Sequence, residues 1–382
     1  MNAHVLTGRR TPIVARAYWQ TFLTLAPSSL SQLPAKYVPF LAVGDLGGMP
    51  HSMSAILYPP GMRASMLDTL NQPVNYGLDS PVIESYWSEE FSRVWSDLRQ
   101  WSELSLSRQG QLGALLNCLS EQRLLVGLVA DLQSDLISNV EGCAVLYEGA
   151  RAIIRLSPTN ASARAMLDAL GRHAGDPTIR ALSVIHLSAM QSRVDREQQA
   201  ASETLSNGVA AVEHCDDSTL EGVVVRSRWA RVQALIDSKQ RRFSAASDNL
   251  RQARAYADHA VDLASSRAPY MQLVAAENLK MVLEATILGA AGAGNAGLVA
   301  SVAFELLRLD PYDSYTWRTV GTAATRTNLV LSATTALAGV TMLGGTGVSQ
   351  MADELDHQSI QVLHNADFEL SELLRHMLVG TY

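Results

Sequence analysis

From Glu84 onward the apolar residues recur at helical spacing, and this periodicity limits the fold more than any other feature of the chain. Trp87, Phe91, Val94, Trp95, Leu98 and Trp101 fall on one stripe, with Glu89, Glu90, Ser92, Arg93 and Asp97 opposite. Apolar groups three and four residues apart share a helix face, so the pattern is that of an amphipathic helix. Further helices are expected at about Gln109 to Leu132, Cys143 to Leu156, Ala161 to His173, Thr178 to Leu205, Thr219 to Ser238, Phe243 to Ser265 and Tyr270 to Leu288. Asp176-Pro177 puts a capping side chain before a proline at the first helical position, and Ser218-Thr219-Leu220-Glu221 has capping-box spacing. No Val/Ile-rich strand series alternates with the helices. The expected class is all-α.

The first 82 residues differ in texture. Nine of the 13 prolines lie there, among Gly44, Gly47, Gly48, Gly61 and Gly77, and proline both removes a donor and clashes inside a helix. Residues 1–82 therefore read as an irregular Pro/Gly-rich region and residues 83–382 as the α-helical body. Tyr18, Trp19, Phe22, Tyr37, Phe40 and Leu41 are too apolar for a free linker, so the first region is expected to pack on the second.

Within the helical body, Leu309-Asp310-Pro311 is followed by Trp317, Val320 and Gly321, a large aromatic, a small aliphatic and a glycine at a helix start. Phe243, Ala246, Leu250 and Ala253 give large, small, large, small spacing along a helix expected in Arg242 to Ala260, with Ala234 before them. These stretches resemble the tetratricopeptide repeat, over about half of the chain. The resemblance implies helical hairpins stacked as a superhelix, with Trp317 between hairpins and Gly321 at a close helix crossing. Ala324 stands where the family prefers tyrosine and the unit spacing is irregular, so an irregular bundle remains the competing architecture.

Composition restricts function. The chain is 47 % apolar and 18 % charged, with 30 basic residues against 37 acidic ones and a net charge of −7. Nucleic acid is not the expected partner of such a surface. Cys118, Cys143 and Cys215 are widely spaced and odd in number, which gives neither a disulfide framework nor a zinc module and fits a reducing cytoplasm. Arg9-Arg10 precedes no apolar core of signal-peptide length. Ala285 to Phe304 and Thr327 to Ala352 lack charge, but they are rich in Ala, Gly, Ser and Thr and lack aromatic belts, so buried helices are expected rather than membrane spans.

Few motifs carry chemistry. Gly292-Ala293-Gly294-Asn295-Ala296-Gly297 fits G-x-G-x-x-G, but a dinucleotide site needs a strand before it and an acidic residue about twenty positions on. Glu354-x-x-His357 and Glu372-x-x-x-His376 offer carboxylate and imidazole at helical spacing, but His357 falls opposite the apolar stripe and no second Glu-x-x-His appears, so no metal is expected. Neither is a cofactor. Arg226, Arg228, Arg231, Arg241, Arg242, Arg251 and Arg254 gather seven guanidinium groups in one hairpin, either as a solvated face paired with acids or as a groove for an acidic peptide. The leading expectation is a non-enzymatic scaffold that binds a protein or peptide partner, with these arginines as its contact. Two other readings stand beside it: an enzyme whose site lies between the helices and an N-terminal region containing His51, Tyr58, Tyr76 and Asp79, and a structural subunit of a larger assembly, including a homo-oligomer.

Overall fold

The computed structural model describes residues 93–327, apart from 95, 99, 119–121, 131, 133, 266, 268 and 310–313, together with Ala333 and Ala336. Among these residues the chain is all-α, with no strand. The expectations for the N-terminal 82 residues, the helix carrying Glu354, His357, Glu372 and His376, and most of Thr327 to Ala352 lie outside them. Among the described residues no helix is long and apolar enough to cross a membrane.

The helices are α1 (Leu106–Cys118), α2 (Gln122–Val129), α3 (Gly142–Leu156), α4 (Ala161–His173), α5 (Pro177–Met190), α6 (Gln198–Asn207), α7 (Val209–Glu213), α8 (Leu220–Lys239), α9 (Phe243–Ala264), α10 (Pro269–Gly292), α11 (Ala296–Leu309) and α12 (Ser314–Arg326). Local chemistry sets several boundaries. The backbone N–H of Thr178 donates to the Asp176 side chain at 2.7 Å, with Pro177 at the first helical position. Asn160 accepts in the same way from Ala163 at the start of α4. At α8 the cap is Thr219, whose hydroxyl accepts from Gly222 N–H at 3.1 Å. The capping box expected from Ser218 to Glu221 is thus displaced by one residue: Gly222 occupies the third helical position, and Glu221 stands in the first turn, where a negative charge favours the helix dipole.

Two expected long helices are broken. The segment from Gln109 to Leu132 forms α1 and α2 instead of one helix. The segment from Thr178 to Leu205 forms α5, a π-type turn over Gln191–Asp195 and then α6, with Arg196 in the left-handed region at φ 62°. A non-glycine residue in that region is locally unfavourable. It is held here by Gln198, which accepts from Ser192 Oγ at 2.7 Å and donates to the Ser192 carbonyl at 3.0 Å.

Contacts divide the described chain inside α10, between Val282 and Leu283. In the unit before that point the core passes from one helix group to the next. Cys143, Leu146, Tyr147, Ala150 and Ile154 of α3 pack with Ala163, Leu167 and Leu170 of α4 and with Ile179 and Met190 of α5. Ala181 and Ile185 of α5 then join Ala201, Leu205 and Val212 against Val225, Val232 and Ile236 of α8. Leu220, Val223 and Val224 of α8 meet Ala260 and Ala264 of α9 and Ala275 of α10.

The α8–α9 hairpin closes on an alanine face formed by Ala246, Ala253, Ala257, Ala260 and Ala264, all buried. Small side chains allow the two backbones to approach. Ser227 then donates to the Ala253 carbonyl at 2.9 Å and accepts from buried Asn278 at 2.9 Å. Phe243 is 67 % exposed and Leu250 is half-buried, so Ala246 and Ala253 carry the packing of this stretch.

In the second unit α11 and α12 pack together. Trp317, Val320 and Gly321 are all buried on α12. The G-x-G-x-x-G stretch joins α10 to α11: Gly294 takes φ 69° and Asn295 accepts from the N–H of Leu298 at 3.0 Å. A helix precedes these glycines where a dinucleotide-binding turn has a strand.

Candidate functional site

An open pocket of about 290 Å³ lies within the first unit among α3, α5, α8 and α10. Each wall is a helical stripe. From α3 come Tyr147, Arg151, Ile154 and Arg155; from α5, Leu182, Ile185, His186, Ala189 and Met190; from α8, Arg228, Arg231 and Val232; and α10 adds Met281. The three- and four-residue intervals put each group on one face of its helix. The π-type turn supplies Arg193 and Val194, and Pro158 completes the rim. Such turns inside helices recur at functional sites because they re-aim side chains.

Five arginines therefore line one apolar pocket. Arg151 and Arg155 are fixed from behind. Glu277 accepts from Arg151 at 3.3 Å and from Arg155 at 2.5 Å, and Glu148 accepts from Arg151 at 3.2 Å. Buried Asn117 donates to the Glu148 carboxylate at 2.7 Å, its carbonyl accepts from Arg155 at 2.7 Å, and the Cys118 thiol donates to Glu277 at 3.2 Å. Burial pushes the Cys118 thiol up, with Glu277 adding to the effect, so the group stays protonated. Burial opposes the charge on Arg151, but Glu148 and Glu277 outweigh it and hold the guanidinium protonated.

Arg228 is different. It is 8 % exposed, and its buried Nε has no hydrogen-bond partner; among the described residues it makes no ion pair. A buried cation without a counter-charge is unfavourable, and native structures usually provide one. His186 senses the same field. Burial, followed by Arg151, Arg228, Arg155 and Arg231, pushes its pKa down to about 3 from an ordinary 6.5. Its ring stands edge-on to Tyr147, with centroids 6.4 Å apart. Burial pushes the Tyr147 phenol up.

The seven arginines of the α8–α9 hairpin differ in their surroundings. Arg226 pairs with Asp217 and donates to the Cys215 carbonyl at 3.1 Å. Arg242 pairs with Asp237 at 2.5 Å, Arg251 with Asp248, and Arg254 with Asp258 at 2.7 Å. Arg241 is exposed in the turn between α8 and α9 at φ 62°. Arg228 and Arg231 alone of the seven line the pocket, where they meet Arg151, Arg155 and Arg193, which sequence reasoning left out. Among the described residues no group of His, Cys, Asp and Glu has the arrangement of a metal site.

Comparison with protein-family models, with curated proteins and with solved structures finds no match for this chain.

Proposed function

We propose that the chain is a helical binding module that holds a peptide or protein partner through an acidic group seated in the arginine-lined pocket. The observation that carries this reading is Arg228, a buried guanidinium that makes no ion pair among the described residues, opening onto a pocket that aliphatic side chains share with four further arginines. A carboxylate entering there supplies the missing counter-charge and can take two parallel N–H donors from the planar fork, in a setting where water is largely replaced by hydrocarbon. Binding is favoured over catalysis because the two titratable groups best placed for proton transfer are tuned away from it. His186 stays neutral and is a weak base, and the Tyr147 phenol holds its proton.

The repeat resemblance of Trp317, Val320, Gly321, Phe243, Ala246, Leu250 and Ala253 agrees with a scaffold role and belongs to the same proposal. The test is a fluorescein-labelled hexaglutamate peptide, blocked at both ends and titrated into the full chain while anisotropy is followed. Saturable binding that weakens with salt and is lost in a folded Arg228→Met variant supports the reading. Equal binding by wild type and variant, or by a hexaglutamine control, refutes it.

A further inference from the structure

The pocket's two chemistries lie at a fixed separation, and that separation specifies more than negative charge. Arg228 and Val232 are four residues apart on α8, which spans about 6 Å of helix rise. Both face the cavity. In an extended peptide, side chains two positions apart point to the same side and are separated by about 6.6 Å along the chain. The rim is open: Val194 is 40 % exposed, and Arg193, Arg155 and Pro158 are exposed as well. Small free ligands are usually enclosed over most of their surface. A segment that continues into a longer chain needs such a rim.

Resting on the anion reading above, we infer that the pocket recognises an extended peptide segment with an acidic residue and a large aliphatic residue two positions apart. The carboxylate pairs with Arg228, and the aliphatic side chain lies against Val232, Met281 and Val194. At about 290 Å³ the cavity falls just below the ~300–1,000 Å³ typical of ligand pockets, which suits two side chains and leaves the peptide backbone at the mouth. Charge alone gives no such requirement. The aliphatic contact is what separates this segment from any acidic stretch.

The experiment uses four fluorescein-labelled octapeptides blocked at both ends: Ser-Gly-Ser-Glu-Ser-Leu-Ser-Gly, the same with Gln for Glu, the same with Ser for Leu, and one with Glu and Leu adjacent. Each is titrated by anisotropy into the full chain, its Arg228→Met and Arg228→Lys variants and Val194→Ser, all checked for helix content. The Glu-Ser-Leu peptide is expected to bind at least tenfold more tightly than the other three. Arg228→Met is expected to remove the preference over Gln while leaving the preference over Ser. Arg228→Lys should retain part of the affinity as a charge without the fork. Val194→Ser should weaken only peptides containing Leu in register. If hexaglutamate binds through Arg228 but the Glu-Ser-Leu peptide gains nothing over its Ser or adjacent-register forms, the inference is overturned and the anion reading stands. If neither hexaglutamate nor any octapeptide binds in an Arg228-dependent way, both fail.

Discussion

Replacing Arg228 by methionine should stabilise the protein while removing the acid binding proposed for its pocket. The guanidinium is 8 % exposed, its Nε lacks a hydrogen-bond partner, and no carboxylate pairs with it among the described residues. Folding therefore strips water from a charge and returns little. Methionine preserves most of the buried stem, which lines the same pocket as Val232 and Ile185, and removes only the charged head. Exchanging buried ionic groups for apolar ones of similar volume is commonly stabilising by about 1–4 kcal/mol. Because the pocket mouth is open, the lower half of that range applies, about 2 kcal/mol. In a unit of this size that corresponds to a rise in Tm of roughly 4–8 °C. Urea unfolding followed by circular dichroism should show a higher midpoint at unchanged slope, so that the gain reflects stability and not a change in the unfolded state. A loss of more than about 1 kcal/mol would mean that Arg228 holds the fold together, and the case for it as a ligand contact would collapse.

Arg151→Met should do the opposite, losing about 3 kcal/mol in the same urea experiment, because it removes the cation paired with buried Glu148 and leaves Glu277 with one fewer arginine beside it. A neutral result would show that the acids find water instead. The pH dependence follows from His186, whose folded pKa of about 3 lies below the ordinary 6.5, so the unfolded chain takes up a proton first and stability falls as pH falls from about 6.5 toward 3. Between pH 6.5 and 5 the loss should be about 2 kcal/mol, and His186→Gln should flatten that part of the curve; parallel curves for the two proteins would refute the assignment. Gly222→Ala should destabilise by about 1–3 kcal/mol although alanine is the better helix former, since a Cβ there would lie 2.0 Å from the Asp216 carbonyl oxygen. An unchanged or raised Tm would show that the turn before α8 relaxes without cost.

The legible parts of this fold were those written in local chemistry. Ala161 to His173 is helical over that range because Asn160 caps it, and α5 starts where Asp176-Pro177 requires. The break after Met190 had no such signature. Neither glycine nor proline marks it, and the left-handed residue is an arginine held by contacts of Ser192 and Gln198. Continuous helical periodicity through that stretch was thus overruled by side-chain hydrogen bonds that depend on the turn having already formed.

The candidate site was half visible for a related reason. Pairs such as Asp248 with Arg251 and Arg254 with Asp258 obey helical spacing and could be read along one helix, as the paired, solvated face that the sequence also offered. Arg151, Arg155 and Arg193 reach the pocket only because α3 and the π-type turn pack near α8, a tertiary fact absent from any local window. One signal for Arg228 was nevertheless present. Val224, Val225, Arg228, Arg231 and Val232 follow one another at intervals that place them on a single side of α8, so two arginines interrupt a valine stripe that must be buried. A charge on the inward face of a helix needs either an acid from a neighbouring element or a ligand to supply one. For Arg151 and Arg155 the fold supplies Glu148 and Glu277; for Arg228 no acid among the described residues takes that place, and that asymmetry is the reason to look for function at this pocket.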